Sequence, residues 1–143
     1  MTTDRQTWMA VLARAPVADL AAAGSLLPPY TLVRGPELGL VLLRGRAGGT
    51  GGAFNVGEAT LARCTVRSDA GYVGHAYCLG RDLRQAELAA ALDAAMQDPA
   101  RASLIDASVI TPLAHAQAAE RRAVAERAAA TQVQFFTLAT MRS

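Results

Sequence analysis

The sequence predicts an α+β fold with N-terminal helices, a central antiparallel β-meander and C-terminal helices ending in an apolar tail. Three observations predict it. Apolar residues recur at helical spacing near the start. Residues 30–79 carry strand-like runs separated by Gly, Pro and Asp turn signals. Helical spacing then returns to the end. The order is helices, strands, helices and not alternating βαβ, which separates α+β from a parallel α/β sheet.

Thr3 with Gln6 fits a capping box. Trp8, Val11, Leu12 and Ala15 then fall at i, i+3, i+4 and i+7, one apolar face of a helix. Pro16 restarts a second short helix carrying Val17, Leu20 and Ala21, with Gly24 as its C′ residue. Pro28 and Pro29 end the helical region. Tyr30–Arg34 and Gly39–Arg46 read as two strands joined by a turn at Arg34-Gly35-Pro36-Glu37. A glycine-dense loop follows at Gly48–Gly52, then a short strand at Ala53–Val56 and a clearer one at Thr60–Arg67. Asp69-Ala70-Gly71 is a tight turn, so Thr60–Arg67 and Gly71–Leu79 form a hairpin. Asp82 caps the next helix and Gln85 completes its box; Leu88, Ala91, Leu92 and Ala95 are its buried stripe. Asp98-Pro99 ends it, and a loop or short helix spans Ala100–Ile110. Thr111 caps, and Pro112 starts, a long helix to about Thr131. That helix has Leu113 and Val124 but otherwise small or charged residues, so it has little to bury by itself. The tail Val133–Met141 is apolar, with Phe135 and Phe136 adjacent.

A chain of 143 residues suits one domain, here residues 1–143, with no repeat and no linker. Hydrophobic residues make up 52% but much of that is alanine, so Leu, Val and a few aromatics must build the core. All 14 basic residues are arginine. Lysine chemistry is therefore excluded, and any anion site must use arginine forks or backbone N–H groups. A net charge of +2 is too small to argue for nucleic acid. Cys64 and Cys78 have no metal-type spacing and read as buried free thiols of a cytoplasmic protein. We expect no metal and no cofactor. The first residues carry an early acid and no apolar core, so no signal peptide is expected, and no run of about 18 apolar residues predicts a membrane span.

Four features are candidates for chemistry. Gly49, Thr50 and Gly51 in the glycine loop expose backbone N–H groups that can cradle phosphate, but the loop lacks a Gly-Lys-Ser/Thr ending, so it also reads as a plain turn. Alternation puts Arg63, Thr65 and Arg67 on one strand face and Ala62, Cys64 and Val66 on the other. Arg44 and Arg46 repeat that spacing one strand earlier, so an arginine row can grip a triphosphate or an acidic partner, or be a solvated face. His75 is expected near Cys64 across the hairpin, as an acid–base group or a structural one; His115 is expected exposed. Glu58 and Asp82 are the acids nearest the arginine strands, Asp82 reading better as a helix cap. Arg81 precedes that cap. No catalytic set stands out.

One central block carries a family resemblance. Gly48-Gly49-Thr50-Gly51, Phe54, Gly57-Glu58-Ala59-Thr60-Leu61-Ala62-Arg63-Cys64, Val66-Arg67, Gly71-Tyr72-Val73-Gly74-His75-Ala76-Tyr77 and Leu79-Gly80-Arg81-Asp82 resemble the signature of the G-subunit family of carbon–phosphorus lyase. Arg5-Gln6, Trp8-Met9 and Phe135-Phe136-Thr137 extend the resemblance over nearly the whole chain. It implies an accessory subunit in phosphonate catabolism. In that pathway methylphosphonate displaces adenine from ribose C1′ of ATP, giving alpha-D-ribose 1-methylphosphonate 5-triphosphate. The resemblance implies I, H and J subunits as partners in a two-fold complex, with the L subunit needed functionally. It supplies no catalytic residue to carry over. The weak helix face and the Phe135-Phe136 tail are read as partner surfaces, toward a second copy or the I subunit. A structural scaffold that touches no substrate is the alternative. An RNA-binding domain is a third reading, weakened because only Tyr72 and Tyr77 lie among the arginine strands.

Overall fold

The computed structural model describes residues 4–46 and 52–141, and for residues 46, 53–56 and 132–141 the backbone alone. Helix α1 spans Arg5–Arg14 and α2 spans Val17–Ala22, followed by a 3₁₀ turn at Ala23–Leu26. Strands β1 (Tyr30–Arg46), β2 (Ala53–Ser68) and β3 (Val73–Leu79) make an antiparallel sheet in the order β1-β2-β3. Helices α3 (Leu83–Met96) and α4 (Pro99–Ile105) follow. A π turn at Asp106–Ile110 runs straight into α5 (Thr111–Met141). The α+β class and the order of elements match the sequence expectation.

The core forms around α3. Its Ala-rich sequence buries Ala86 and everything from Leu88 to Met96, so it is enclosed on all sides and not along one stripe. Small side chains let it approach the sheet closely. A methyl on Gly74 of β3 would collide with the backbone of Ala90 and Ala94. Alternation on β2 turns Ala62, Cys64 and Val66 toward α3, and Ala76 and Cys78 of β3 join them. On its other side, α3 meets Trp8, Val11, Leu12 and Leu20 from the first two helices, with Ile105, Val109 and Ile110 closing the cluster.

Several local expectations need correction. The first cap is Asp4, whose carboxylate accepts from Thr7 N at 2.8 Å; Thr3 lies outside the described residues. Asp82 caps α3 as expected, but the Gln85 amide does not return to the cap and instead donates to Ala15 O at 2.8 Å. Gly24 lies inside the 3₁₀ turn and is not a left-handed C′ residue. Thr111 has helical dihedrals because the helix arrives through the π turn, so it is no boundary. The backbone of the tail continues α5.

The larger correction concerns the strands. Residues 30–46 are one strand, and Gly35-Pro36 is a bulge within it, with Gly35 at φ 75°. Residues 53–68 are likewise one strand. Turn-forming residues can sit in a bulge because the partner strand keeps the ladder going on both sides of it. The joined strands outrun β3, which pairs only from Leu61 to Arg67, so residues 40–46 and 53–60 form a two-stranded arm.

Candidate functional site

The sheet face away from α3 holds the polar candidates. Arg63 stands opposite Glu37 and Tyr77, Thr65 opposite Arg34 and His75, and Arg67 opposite Thr31 and Val73. The bulge at Gly35 sets this register. Its positive φ and the closeness of Arg63 O to any Cβ there, 2.8 Å, both favour glycine. Beyond the bulge, Glu37 Oε1 accepts from Arg63 Nε at 2.8 Å and from Arg34 Nε at 3.0 Å. The Arg63 hydrogen bond, with the charges of Arg63 and Arg34, holds the Glu37 carboxyl below the usual carboxylate range.

The expected arginine row is not continuous. Arg44 pairs with Asn55 and Arg46 with Ala53, far along the arm, ~26 Å from Arg63 by strand rise. The missed bulge and the unbroken strands are the reason. Arg81 lies two residues past Leu79, the end of β3 that is ~20 Å along the strand from Val73, the partner of Arg67. His75 faces Thr65 and not Cys64: the contact is Thr65 Oγ1 to His75 Nδ1 at 3.1 Å, and Cys64 lies opposite Ala76. Arg67 and Arg81 are exposed and meet no partner among the described residues. Glu58 stands opposite Leu42 on the arm, so the acid that serves the arginines is Glu37. Gly49, Thr50 and Gly51 lie outside the described residues, as do the side chains of Phe135 and Phe136. His115 is exposed, as expected.

Two features went unread in the sequence. The first is Asp93, fully buried in α3. Its carboxylate accepts from Trp8 Nε1 at 2.8 Å, from Arg5 Nε at 3.2 Å and Arg5 Nη2 at 2.9 Å, and from the His75 backbone N at 2.9 Å. It ties α1, β3 and α3 together. The available signal was a lone acid in the run Leu88–Met96. The second is apolar exposure. Leu32, Leu38, Leu40 and Leu42 of β1 are 51%, 45%, 70% and 52% exposed, and Tyr77 and Leu79 of β3 are exposed too.

Cys64 and Cys78 are buried free thiols, as expected. Burial is the main cause that pushes each up to about 11, with the charge of Glu87 adding at Cys64 and that of Asp82 at Cys78. They are poor nucleophiles there. Among the described residues, no group of three or more His, Cys, Asp or Glu is placed to hold a metal ion. Nor is any single described helix long and apolar enough to cross a membrane.

The arrangement defines a class: an α+β chain that ties much of its candidate polar chemistry into internal pairs and leaves leucine side chains open on a sheet. The comparisons give the family. The family model described as "Phosphonate metabolism protein PhnG" matches residues 3–141. The "Alpha-D-ribose 1-methylphosphonate 5-triphosphate synthase subunit PhnG" of Rhizobium meliloti (strain 1021) is 44% identical over 137 residues, covering 94% of this chain and 87% of that protein. The chain belongs to the PhnG family of phosphonate metabolism proteins.

Proposed function

We propose that this chain is an accessory subunit of a cytoplasmic alpha-D-ribose 1-methylphosphonate 5-triphosphate synthase. It acts with the H, I and L subunits when methylphosphonate displaces adenine from ribose C1′ of ATP. It sits beside the I, H and J subunits and is not catalytic alone. The observation that carries this reading is the 44% identity to a subunit of that named synthase across nearly the whole chain. The exposed Leu32, Leu38, Leu40 and Leu42 support it, because such a stripe is costly in water and is covered in an assembly.

A pure scaffold is the second reading, and two contacts favour it. Arg63 is engaged by Glu37, and His75 by Thr65, both within the chain. Arg67 and Arg81 stay open to an anion or an acidic partner surface. The test is growth on methylphosphonate as sole phosphorus source. Arg63→Ala and Arg67→Ala are each expected to impair growth while the subunit stays folded and assembled. Normal growth of both variants would remove any essential role for the arginine face and leave the scaffold. Omitting the whole chain from the reconstituted reaction is expected to abolish adenine release from ATP by methylphosphonate; full release without it would refute the accessory role.

A further inference from the structure

Two unpartnered parts of this chain fit each other. The first is the β1 leucine stripe. Leu32 stands opposite Val66, Leu38 opposite Ala62 and Leu40 opposite Thr60, so the stripe lies on the sheet face that α3 occupies. α3 covers β2 and β3 there and meets β1 less, bonding it at Tyr30 through Glu87, so Leu40 stays 70% exposed. The second is the distal part of α5. Gln117 Nε2 donates to Val11 O at 2.9 Å, which anchors the start of the helix. From Ala119 to Thr131 every side chain is exposed except the half-buried Ala123. The sequence beyond is VQFFTLATM, the bulkiest apolar stretch of the helix.

We propose that the distal part of α5 from a second copy of this chain lies along the β1 leucines, beside α3, and that the two copies exchange these helices reciprocally. Length supports it. Residues 118–141 make a helix ~36 Å long, enough to cover the Leu32–Leu42 stripe, whose β2 partners Val66 and Glu58 lie ~27 Å apart along the ladder. Layering supports it too, since a helix beside α3 completes the layer that α3 begins on this face. Position argues against the chain covering its own stripe. α5 is anchored on α1, which packs at the β3 edge, whereas the leucines line β1 at the opposite edge. One two-fold exchange covers both exposed parts in both copies and closes without open ends. The inference deepens the accessory-subunit reading and rests on it.

The test uses two differently tagged copies co-expressed with the H, I and J subunits. One carries Leu40→Cys; the other carries a single cysteine placed in turn at each of residues 132–138. Cys64 and Cys78 are buried and stay out of the reaction. After mild oxidation, a disulfide-linked band carrying both tags is expected at a subset of tail positions, and Leu40→Arg in the partner copy abolishes its non-covalent pairing. Leu40 is 70% exposed, so that change leaves the fold intact. Recovery of the complex with no two-tag band at any position overturns the exchange while leaving the accessory reading standing. A linkage formed only within one doubly substituted chain also overturns it, because the helix then folds back on its own strand. If no other subunit is recovered, the accessory reading fails, and the two-tag band on this chain alone still decides the exchange.

Discussion

Asp93 is a carboxylate without access to solvent that is matched by four donors. Burying such a charge is tolerable only because Arg5 neutralises it and the Trp8 and His75 N–H groups complete its shell. Asp93→Ala strands a buried indole N–H and a strand N–H together, and should cost about 3–5 kcal/mol. Urea melts of wild type and variant measure it; a change below about 1 kcal/mol would show that the network is not holding α1 on α3. The buried titratable groups add a pH dependence. Tyr30 is pushed up to about 12 from 10.0, first by burial and then by its 2.6 Å bond to Glu87. Cys64 and Cys78 rise to about 11 from 9.0. All three folded values lie above the unfolded ones. Their contribution is whole below pH 9 and is lost as pH rises through 11 and 12. Alkaline melts should therefore show stability falling from about pH 9 upward. Thiol reagent at neutral pH should label neither cysteine until denaturant is added. At this scale the sequence showed which residues alternate, but not which partners meet: His75 was placed near Cys64 because the hairpin register was unknown by one residue, which flips a side chain to the other face.

α3 is the element on which the others depend, and Gly74 is where the sheet allows it close. Gly74→Ala puts a methyl into the Ala90 and Ala94 backbone, where no side chain can swing aside. The expected cost is at least 1–3 kcal/mol, read as a lower urea midpoint. An unchanged midpoint would mean that α3 can slide away freely. Helix faces were legible in the sequence because Trp8, Val11, Leu12 and Ala15 had to share one side, and all four are buried. Strand extents were not. Gly35-Pro36 carries the local chemistry of a turn, and only the pairing of β2 on both sides of it reveals a bulge. Asp93 was missed for a related reason: helical spacing predicts a stripe, and α3 is buried all round.

At the scale of the whole molecule, the leucine edge and the unsupported length of α5 are the features that local stability does not explain. The sequence shows the helix as an oddity with little to bury, whereas the leucine edge went unread there. Their exposure becomes evident once the sheet order puts β1 at the edge. The glycine loop and the tail side chains were singled out in the sequence, and their contacts belong to the assembly experiments. The most direct measurement is co-expression with the H, I and J subunits, followed by purification on a tag carried by this chain. A stoichiometric complex containing all of them is expected. A stable, dispersed monomer recovered alone would contradict it.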